Sequence, residues 1–377
     1  MLESFCNETI TSMPLTVRMR RSPFWERSNA AGAQGYIVYN NMLIATGFVD
    51  PEEDYRHLKS AVQVWDVGVE RQIEIFGPDA AKLVQMSTPR DLARMKDDQC
   101  YYIPTVDREG CMTNDPVLLR LDEDRYWVSI ADSDLILFYK GVAAAIGLEV
   151  TIHEPHVSPL GIQGPKADEL ARRVWGDQVS DIKFFRHKRV DVNGRPMILA
   201  RSGYSVQGGY ELYYEGEDGG EVLWDQLMEA GRDLDVRAGA PVQAERVEAG
   251  LLSYLSDITH DMTPFEAGLG KFCNLENDVG CVGYKALQEK RDPMRQIRPI
   301  EIDGDPLPPQ GVFWRVTDLE GNAIGRISSS CRAYSYNCNA AIGLIDAPNW
   351  TPGTEVQVHT PDGLRLGIIK EKFWGRI

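Results

Sequence analysis

Long apolar runs are absent from this chain of 377 residues, which contains no stretch of about 18 consecutive apolar residues such as a membrane helix needs. Its first residues, MLESFCNETITSMPLTVRMRRSPFWER, also lack the charged and then apolar pattern of a signal peptide. We therefore expect a cytoplasmic protein that makes no use of a membrane.

Cysteine and histidine are few and scattered. The seven cysteines are odd in number and form no CxxC pair, and the six histidines form neither an HxxxH nor an HExxH pattern. This spacing argues against a disulfide framework and a metal site, and it indicates reduced thiols. The GxSxG, P-loop and GxGxxG signatures are missing as well, so nucleophilic hydrolysis, phosphoryl transfer and a Rossmann dinucleotide site lack their motifs.

Basic residues are outnumbered, with 40 Lys and Arg against 56 Asp and Glu and a formal net charge of -16. A protein that follows phosphates needs a basic face, so this balance argues against nucleic acid or an anionic membrane as a main partner. It still allows a small ligand to be held by a local cluster. The 43% of hydrophobic and 25% of charged residues are typical of a globular protein, and the length allows two or three domains.

One order of strand, turn and helix occurs twice. Residues 1–20 show no period and are expected to form a flexible arm. Alternation over 71–76 predicts a strand, and Gly77-Pro78-Asp79 then predicts a turn and the start of a helix. The segment 158–167 repeats this order. The repeat indicates two similar halves within residues 21–291.

Beyond a linker near Asp292-Pro293, short strands alternate with turns rich in Gly, Pro and Asn, at 298–302, 312–317, 323–329, 340–345, 354–358 and 365–369. No convincing long helix interrupts them. This regular pattern predicts a closed, barrel-like β domain over residues 296–377.

Two acidic residues have surroundings that suggest chemistry. Asp115 follows a turn and precedes the apolar run 117–119, so its carboxyl can be held away from water to bind a ligand nitrogen or tune a proton. The alternative is an Asp that only caps the turn. Glu211 lies inside an apolar strand, where its carboxylate needs a partner such as the paired N–H groups of a pterin or purine edge. The alternative is a hairpin with a solvent-facing Glu.

The Gly-rich segment 201–211 and the helical pattern over 241–252 add two further candidates. Glycines in 201–211 permit the backbone to approach a flat ligand closely, and Tyr204 offers an aromatic face with a hydroxyl. Arg246 lies in a charged stretch of the predicted helix. It can bind a ligand carboxylate, or it can belong to an ordinary exposed salt bridge.

The order of these segments resembles the aminomethyltransferase family, the T-proteins of the glycine cleavage system. The resemblance extends from about Arg21 to the C-terminus and rests on short stretches, which are Val64-Trp65-Asp66-Val67, Phe76-Gly77-Pro78-Asp79-Ala80, Asn114-Asp115, Gln163-Gly164-Pro165, Arg201-Ser202-Gly203-Tyr204, Gly209-Tyr210-Glu211 and Arg246-Val247-Glu248-Ala249-Gly250. It implies an α+β fold shaped as a three-domain disc. Two interleaved α+β domains bind folate in a central channel, and a C-terminal β-barrel closes the disc.

The same resemblance implies tetrahydrofolate as co-substrate and assigns roles by matching positions. Glu211 would grip the pterin edge, while Tyr102 and Tyr204 would line its faces and tail. Arg246 would pair with a ligand carboxylate or reinforce that grip, and Asp115 would be the catalytic residue that orients the folate or manages its proton. The wall of the methyl donor's pocket is predicted to contain Phe24, Tyr36, Phe185 and Tyr204.

Within the family, some stretches are most similar to the demethylases of dimethylsulfoniopropionate, among them Val62–Val67 with Glu70-Arg71-Gln72, Thr88–Asp91, Asp98–Tyr102 and Gln207-Gly208-Gly209. This similarity implies transfer of a methyl group from that sulfonium donor to tetrahydrofolate. The chain departs from the demethylase pattern at Val206, where Lys is usual, and at Leu255, where Gly is usual. Both departures concern the donor's pocket and leave the identity of the donor open.

Three alternatives follow. The protein can be a methyltransferase that uses another small donor, or an aminomethyltransferase that works with a lipoylated carrier. The loop after Tyr204 disfavours the second, because it lacks the acidic turn typical of T-proteins. A third reading is a folate-binding iron–sulfur assembly or regulatory module, which would need a cysteine motif not found here. The expected partners are the two small substrates, with the protein a monomer or a homodimer.

Overall fold

The structure is a computed structural model that describes residues 16–375. Its strands, in chain order, are β1 (Gly35–Tyr39), β2 (Met42–Gly47), β3 (Val62–Asp66), β4 (Gln72–Phe76), β5 (Cys100–Tyr102), β6 (Thr105–Val106), β7 (Met112–Asn114), β8 (Val117–Asp122), β9 (Arg125–Ser129), β10 (Thr151–His153), β11 (Val157–Gln163), β12 (His187–Val192), β13 (Arg195–Ala200), β14 (Gly209–Glu215), β15 (Val236–Gly239), β16 (Arg295–Ile302), β17 (Trp314–Thr317), β18 (Ala323–Ala333), β19 (Cys338–Asp346), β20 (Glu355–Thr360) and β21 (Gly363–Ile369).

The α-helices are α1 (Trp25–Ala30), α2 (Pro51–Ser60), α3 (Ala80–Ser87), α4 (Leu135–Ile146), α5 (Ala167–Trp175), α6 (Gly220–Ala230), α7 (Gln243–Ala249) and α8 (Tyr284–Glu289). Short 3-10 helices lie at Asp177–Asp181, Arg232–Leu234 and Gly270–Phe272. The predicted arm lies mostly outside the described residues, as does Cys6. Of its described part, Arg20 forms a β-bridge with Met42.

Two large sheets form the N-terminal part of the protein. One has five strands in the order β10-β4-β9-β8-β5, and the other has six in the order β12-β13-β14-β11-β3-β15. The chain leaves the six-stranded sheet after β3, builds all five strands of the other sheet, and returns at β11. The two α+β units are therefore interleaved, as the family resemblance implies.

Each sheet buries one face under its own helices. α3 and α4 cover the five-stranded sheet, with Leu83, Val84 and Tyr139 packed on Ile73 and Ile75. The six-stranded sheet is covered by α5 and α6. A smaller apolar cluster, which includes Trp127 of β9 and Tyr213 of β14, joins the two sheets. This burial of apolar surface stabilises the sheets against each other.

The repeated Gly-Pro motif forms the same turn in both sheets. Gly77 after β4 has a φ of +126° and Gly164 after β11 has a φ of +123°, a region that L-residues with a Cβ rarely adopt. A Cβ at Gly77 would lie 2.8 Å from the carbonyl oxygen of Glu149, and one at Gly164 would lie 2.4 Å from that of Ala61. Glycine is required at both turns for conformation and for space.

The C-terminal strands close into the predicted barrel, in the order β16-β19-β18-β17-β20-β21 with β16 also paired to β21. Its interior is filled by apolar side chains such as Ile300, Trp314 and Val356. β16 begins at Arg295, and we propose that the chain divides there, between 291 and 296. The predicted helix over 241–252 is shorter than expected, because Gly250 adopts a φ of +68° and ends α7.

Candidate functional site

A cavity of about 1250 Å³ lies where the main parts of the fold meet. Its walls come from both large sheets, from α7 and the segment after it, from β16 and from residues 371–373. Ligand pockets for one drug-sized molecule measure roughly 300–1,000 Å³. This cavity therefore has room for an extended ligand together with a small second molecule.

Asp115 lies in the cavity wall between β7 and β8. Its position is set by Asn114, whose buried side-chain oxygen accepts from the backbone N–H groups of Asp115 (2.9 Å) and Ala131 (3.1 Å). The Tyr102 hydroxyl donates to the carboxylate at 2.9 Å. Burial raises the pKa of Asp115 from 3.8 to about 7, although this hydrogen bond acts in the opposite direction. The carboxyl can therefore gain or lose a proton near neutral pH.

Glu211 faces the same cavity from the middle of β14. The residues directly opposite it on the two neighbouring strands are Gly161 and Ala200, whose small size leaves space around the carboxyl. Ser202 donates a hydrogen bond to one of its carboxylate oxygens. Burial raises the pKa of Glu211. An acid held in this way favours a ligand edge that donates paired hydrogen bonds.

Tyr204 joins the loop before β14 to the segment after α7. Its ring lines the cavity, and its hydroxyl donates to the carbonyl oxygens of Leu251 (3.1 Å) and Leu252 (2.8 Å). Burial raises the pKa of this hydroxyl. Tyr204 is therefore a neutral aromatic side chain in the cavity wall. Its backbone belongs to the loop, and the hydrogen bonds of its hydroxyl hold the other end of the side chain.

The glycines of this loop also have a packing role. A Cβ at Gly203 would lie 2.0 Å from the side-chain nitrogen of Gln163, and one at Gly209 would lie 2.2 Å from the carbonyl oxygen of Ile162. The Gln163 amide donates to the carbonyl oxygens of Ser202 (3.1 Å) and Tyr210 (3.2 Å). Glycine at these two positions therefore lets the loop close on β11, and Gly203 lines the cavity as well.

Arg246 reaches the cavity but is already engaged by protein groups. It forms a buried ion pair with Asp257 at 2.8 Å and donates to the Ser329 hydroxyl (2.7 Å) and the Gln243 side chain (2.9 Å). Since most of its donors are used, the structure favours the predicted role of reinforcing the site over that of clamping a ligand carboxylate. Ser329 belongs to β18, so this ion pair also ties α7 to the barrel.

Tyr102 is braced by a stack of side chains. Its ring meets Phe272 edge to face, with the centroids 5.4 Å apart. The guanidinium of Arg90 lies 4.0 Å from the ring centroid of Tyr101 and 5.0 Å from that of Phe272, and it donates to the Tyr102 carbonyl oxygen at 2.7 Å. This brace directs the Tyr102 hydroxyl at Asp115.

The predicted donor wall is only partly formed by the predicted residues. Phe185 lines the cavity beside Phe184, with ring centroids 4.8 Å apart. Phe24 is fully buried in the core of the six-stranded sheet, where its ring meets Tyr214. Tyr36 points away from the cavity towards Trp25, while its strand neighbours Ile37 and Tyr39 line it. Because side chains alternate along a strand, Tyr36 lies on the opposite face of β1 from Ile37 and Tyr39.

Val206 and Leu255, the two departures from the demethylase pattern, lie in different places. Val206 lines the cavity, is half exposed, and donates its backbone N–H to Glu245 at 2.7 Å. Leu255 adopts a φ of +68° next to the cavity-lining Tyr254. Glycine suits that conformation better, so Leu255 is held there against its own preference.

Sequence reasoning missed Glu70, a third cavity carboxyl, which lies between β3 and β4. Its place in the demethylase-like stretch Glu70-Arg71-Gln72 was the available signal. Among residues 16–375, no group of three or more His, Cys, Asp and Glu is arranged to hold a metal ion. None of the helices in that range is both long and apolar enough to cross a membrane.

Known proteins are similar to this chain in both sequence and fold. The pattern of the GCVT N-terminal domain matches residues 24–277. The chain is 50% identical to dimethylsulfoniopropionate demethylase DmdA of Ruegeria pomeroyi, over 95% of this chain and 98% of that protein. It is 27% identical to an aminomethyltransferase of Alkaliphilus oremlandii, over 95% and 98% of the two chains.

Among solved structures, glycine cleavage system aminomethyltransferase T of Bartonella henselae superimposes with a TM-score of 0.81. The two share 22% sequence identity, and the match covers 93% of this chain and 96% of that one. At this identity the match shows the fold, and it confirms the predicted arrangement of interleaved α+β units closed by a barrel. Together with the sequence matches, it establishes that this chain belongs to the aminomethyltransferase family defined by the GCVT N-terminal domain.

Proposed function

We propose that this protein is a tetrahydrofolate-dependent demethylase, which moves a methyl group from dimethylsulfoniopropionate to tetrahydrofolate and leaves a methylthio acid. The observation that carries the proposal is the pairing of a cavity built for two ligands with 50% identity to DmdA over nearly the whole chain. The aminomethyltransferases match at about half that identity, 27% and 28% in two cases. The demethylase reading therefore ranks above theirs.

The residues present fit a folate. A pterin edge carries adjacent N–H donors, and the buried Glu211 carboxylate, fixed by Ser202, offers two acceptor oxygens to them. Tyr102 and Tyr204 supply aromatic surface on the same cavity. The basic side chains Lys271, Arg298 and Lys372 also line it, in a protein of net charge -16. They suit the negative charge on the remainder of the folate.

The proposed reaction needs little from the protein beyond the alignment of its two substrates. A sulfonium methyl is already activated, because the sulfur keeps the bonding electrons and leaves as a neutral thioether. The cavity walls must bring this carbon into line with the accepting ring nitrogen and exclude water. As the new C–N bond forms, that nitrogen loses its proton. Asp115, with a pKa of about 7, is the residue placed to receive it.

The cellular setting is part of the proposal. The described cysteines are all free, which suits a reducing compartment such as the cytoplasm. The small substrates suffice as partners, and either a monomer or a homodimer is compatible with one cavity in each chain.

A panel of methyl donors tests the proposal. The full-length protein is incubated with tetrahydrofolate and, in parallel, with dimethylsulfoniopropionate, other sulfonium compounds, and N- and O-methyl donors, and methyl-tetrahydrofolate is measured. We expect turnover with dimethylsulfoniopropionate above all others. Folate binding without turnover on that donor would reject the substrate and keep the folate site. Glu74→Gln serves as a control, since it alters a buried acid that is paired with Arg125 outside the cavity.

A further inference from the structure

The carboxyl of Glu70 lies in the cavity wall, and the proposed folate site assigns no role to it. It lines the same cavity as Asp115 and Glu211. Asp115 is proposed to take part in the proton transfer, and Glu211 is proposed to bind the pterin edge. Glu70 approaches from the segment between β3 and β4, a third direction.

The Glu70 side chain is oriented by its neighbours. The Gln72 amide donates both to the Glu70 carbonyl oxygen (2.8 Å) and to the Ser129 hydroxyl oxygen (2.9 Å). Because Ser129 accepts from Gln72, its own O–H is left to donate to the Glu70 carboxyl, with which it is hydrogen bonded. Ser129 and Gln72 are themselves buried, so this arrangement is rigid.

No cation in the described part of the chain balances Glu70. Within residues 16–375 it forms no ion pair, and its charged neighbours are the acids Glu211 and Asp115. The adjacent Arg71 is used elsewhere, by Glu154 and Asp134. Burial and these acids raise the pKa of Glu70 well above its usual range. Ionisation of a desolvated carboxyl without a counter-ion is unfavourable, so Glu70 favours its protonated form until a positive charge comes from outside the chain.

An aromatic residue shares this part of the cavity wall. Tyr39 of β1 lines the same cavity and packs against an apolar cluster that includes Val69, the residue before Glu70. A carboxylate and an aromatic ring in one cavity wall form a combination that recognises a cation with no N–H to donate, such as a sulfonium or quaternary ammonium.

We propose that Glu70, with the ring of Tyr39, binds the positive charge of the methyl donor and thereby selects sulfonium donors over neutral ones. This assignment rests on the proposed function, since it names the donor side of the same cavity. The cation keeps Glu70 ionised in the complex. It also holds the methyl-bearing sulfur on the side of the cavity where Asp115 lies.

The test compares the sulfonium donor with a molecule of the same shape in which a neutral carbon replaces the positively charged sulfur. Calorimetry gives the Kd of dimethylsulfoniopropionate, of its carbon isostere 4-methylpentanoate and of tetrahydrofolate, for the wild type, Glu70→Gln, Glu70→Asp and the control Glu74→Gln. We expect the wild type and Glu74→Gln to prefer the cation by about tenfold or more, and Glu70→Gln to lose most of this preference. Glu70→Asp retains the charge and should retain part of the preference. Tetrahydrofolate and 4-methylpentanoate should bind Glu70→Gln within about twofold of the wild type.

Each other outcome is decisive. A wild type without preference for the cation, or an unchanged preference in Glu70→Gln, overturns the assignment. So does a Glu70→Gln protein that loses tetrahydrofolate instead, because Glu70 would then belong to the pterin side. If the preference behaves as expected but the wild type forms no methyl-tetrahydrofolate, the cation site stands and the proposed reaction fails.

Discussion

The two large sheets share a turn and differ in how each delivers its carboxyl to the cavity. Gly77 and Gly164 give both sheets the same connection from strand to helix. Glu211 then lies within a central strand, between Gly161 and Ala200. Asp115 lies in a short connection and is held by side chains, Asn114 and Tyr102. The difference suits the tasks that we propose for them, because a binding acid gains from a rigid strand, whereas a proton-transferring acid gains from tunable hydrogen bonds.

Replacing the strand-held acid should have the largest effect. Glu211→Ala removes the two charge-assisted hydrogen bonds that we propose to the pterin edge, worth roughly 1.5–3 kcal/mol each. We expect tetrahydrofolate affinity to fall by about a thousandfold, or ~4 kcal/mol, measured by calorimetry. The melting temperature should not fall, because the burial that raises the pKa of Glu211 shows that its charge is not a stabilising one. An unchanged affinity would place the pterin elsewhere.

Asp115→Asn should separate the two acids by their dependence on pH. The folded pKa of about 7 lies above the unfolded value near 3.8, so the ionised carboxyl costs stability at pH 8, and this cost disappears as the pH falls from 7 to 4. A shift of this size corresponds to ~4 kcal/mol. We therefore expect Asp115→Asn to be more stable than the wild type by ~4 kcal/mol at pH 8 and nearly equal to it near pH 4, while turnover falls. Chemical denaturation across this range provides the measurement, and a difference independent of pH would contradict it.

The turn that both sheets contain can be disrupted by mutation in each sheet separately. Alanine at Gly164 would meet a carbonyl oxygen at 2.4 Å and at Gly77 one at 2.8 Å, and both positions have a φ unfavourable to alanine. We expect Gly164→Ala to lower the free energy of unfolding by ~2.5 kcal/mol and Gly77→Ala by ~1.5 kcal/mol. Gly147→Ala, at an open position with nothing within 4 Å, is the control for backbone strain alone. If Gly77→Ala were the more damaging variant, the two turns would not be equivalent.

The smallest effect concerns the support of Glu211. Ser202→Ala removes the hydrogen bond that helps to keep the carboxylate ionised. The pKa of Glu211 should rise further, and tetrahydrofolate affinity should fall by about fivefold, or ~1 kcal/mol. The loss should be greater at low pH than at high pH, where the carboxylate is ionised in any case. Equal losses at both would mean that Ser202 acts on the loop and not on the charge.

The fold was largely predictable, because its signals are local. The Gly-Pro turns and the barrel strands follow from glycine conformation and from alternation over a few residues. The helix at Arg246 was predicted too long, since Gly250 ends it under the ring of Phe373, a contact more than a hundred residues away in sequence. Local patterns do not contain such contacts.

The site was predictable where the family order fixed it and less so where packing decides. Tyr36 and Phe24 are aromatic like true cavity residues, and only the tertiary fold shows that one faces Trp25 and the other fills a core. Arg246 was predicted to bind a ligand carboxylate or to form an exposed salt bridge, yet it forms a buried ion pair with Asp257, which lies eleven residues further on, beyond the helix. Glu70 differs from an ordinary turn acid only through the buried groups around it.

Residues 371–373 form a part of the cavity wall that is synthesised after both large sheets and the barrel. Both sheets are complete by β15, whereas these residues reach the site only after the whole barrel. During synthesis, N-terminal domains can fold while the rest of the chain is still being made. The nascent protein can thus hold its acids in position before translation reaches residue 373 and the cavity is closed. A ligand that binds the closed cavity can then stabilise the complete protein. It gives little help to the folding of the two N-terminal sheets, because they are synthesised before the cavity is closed.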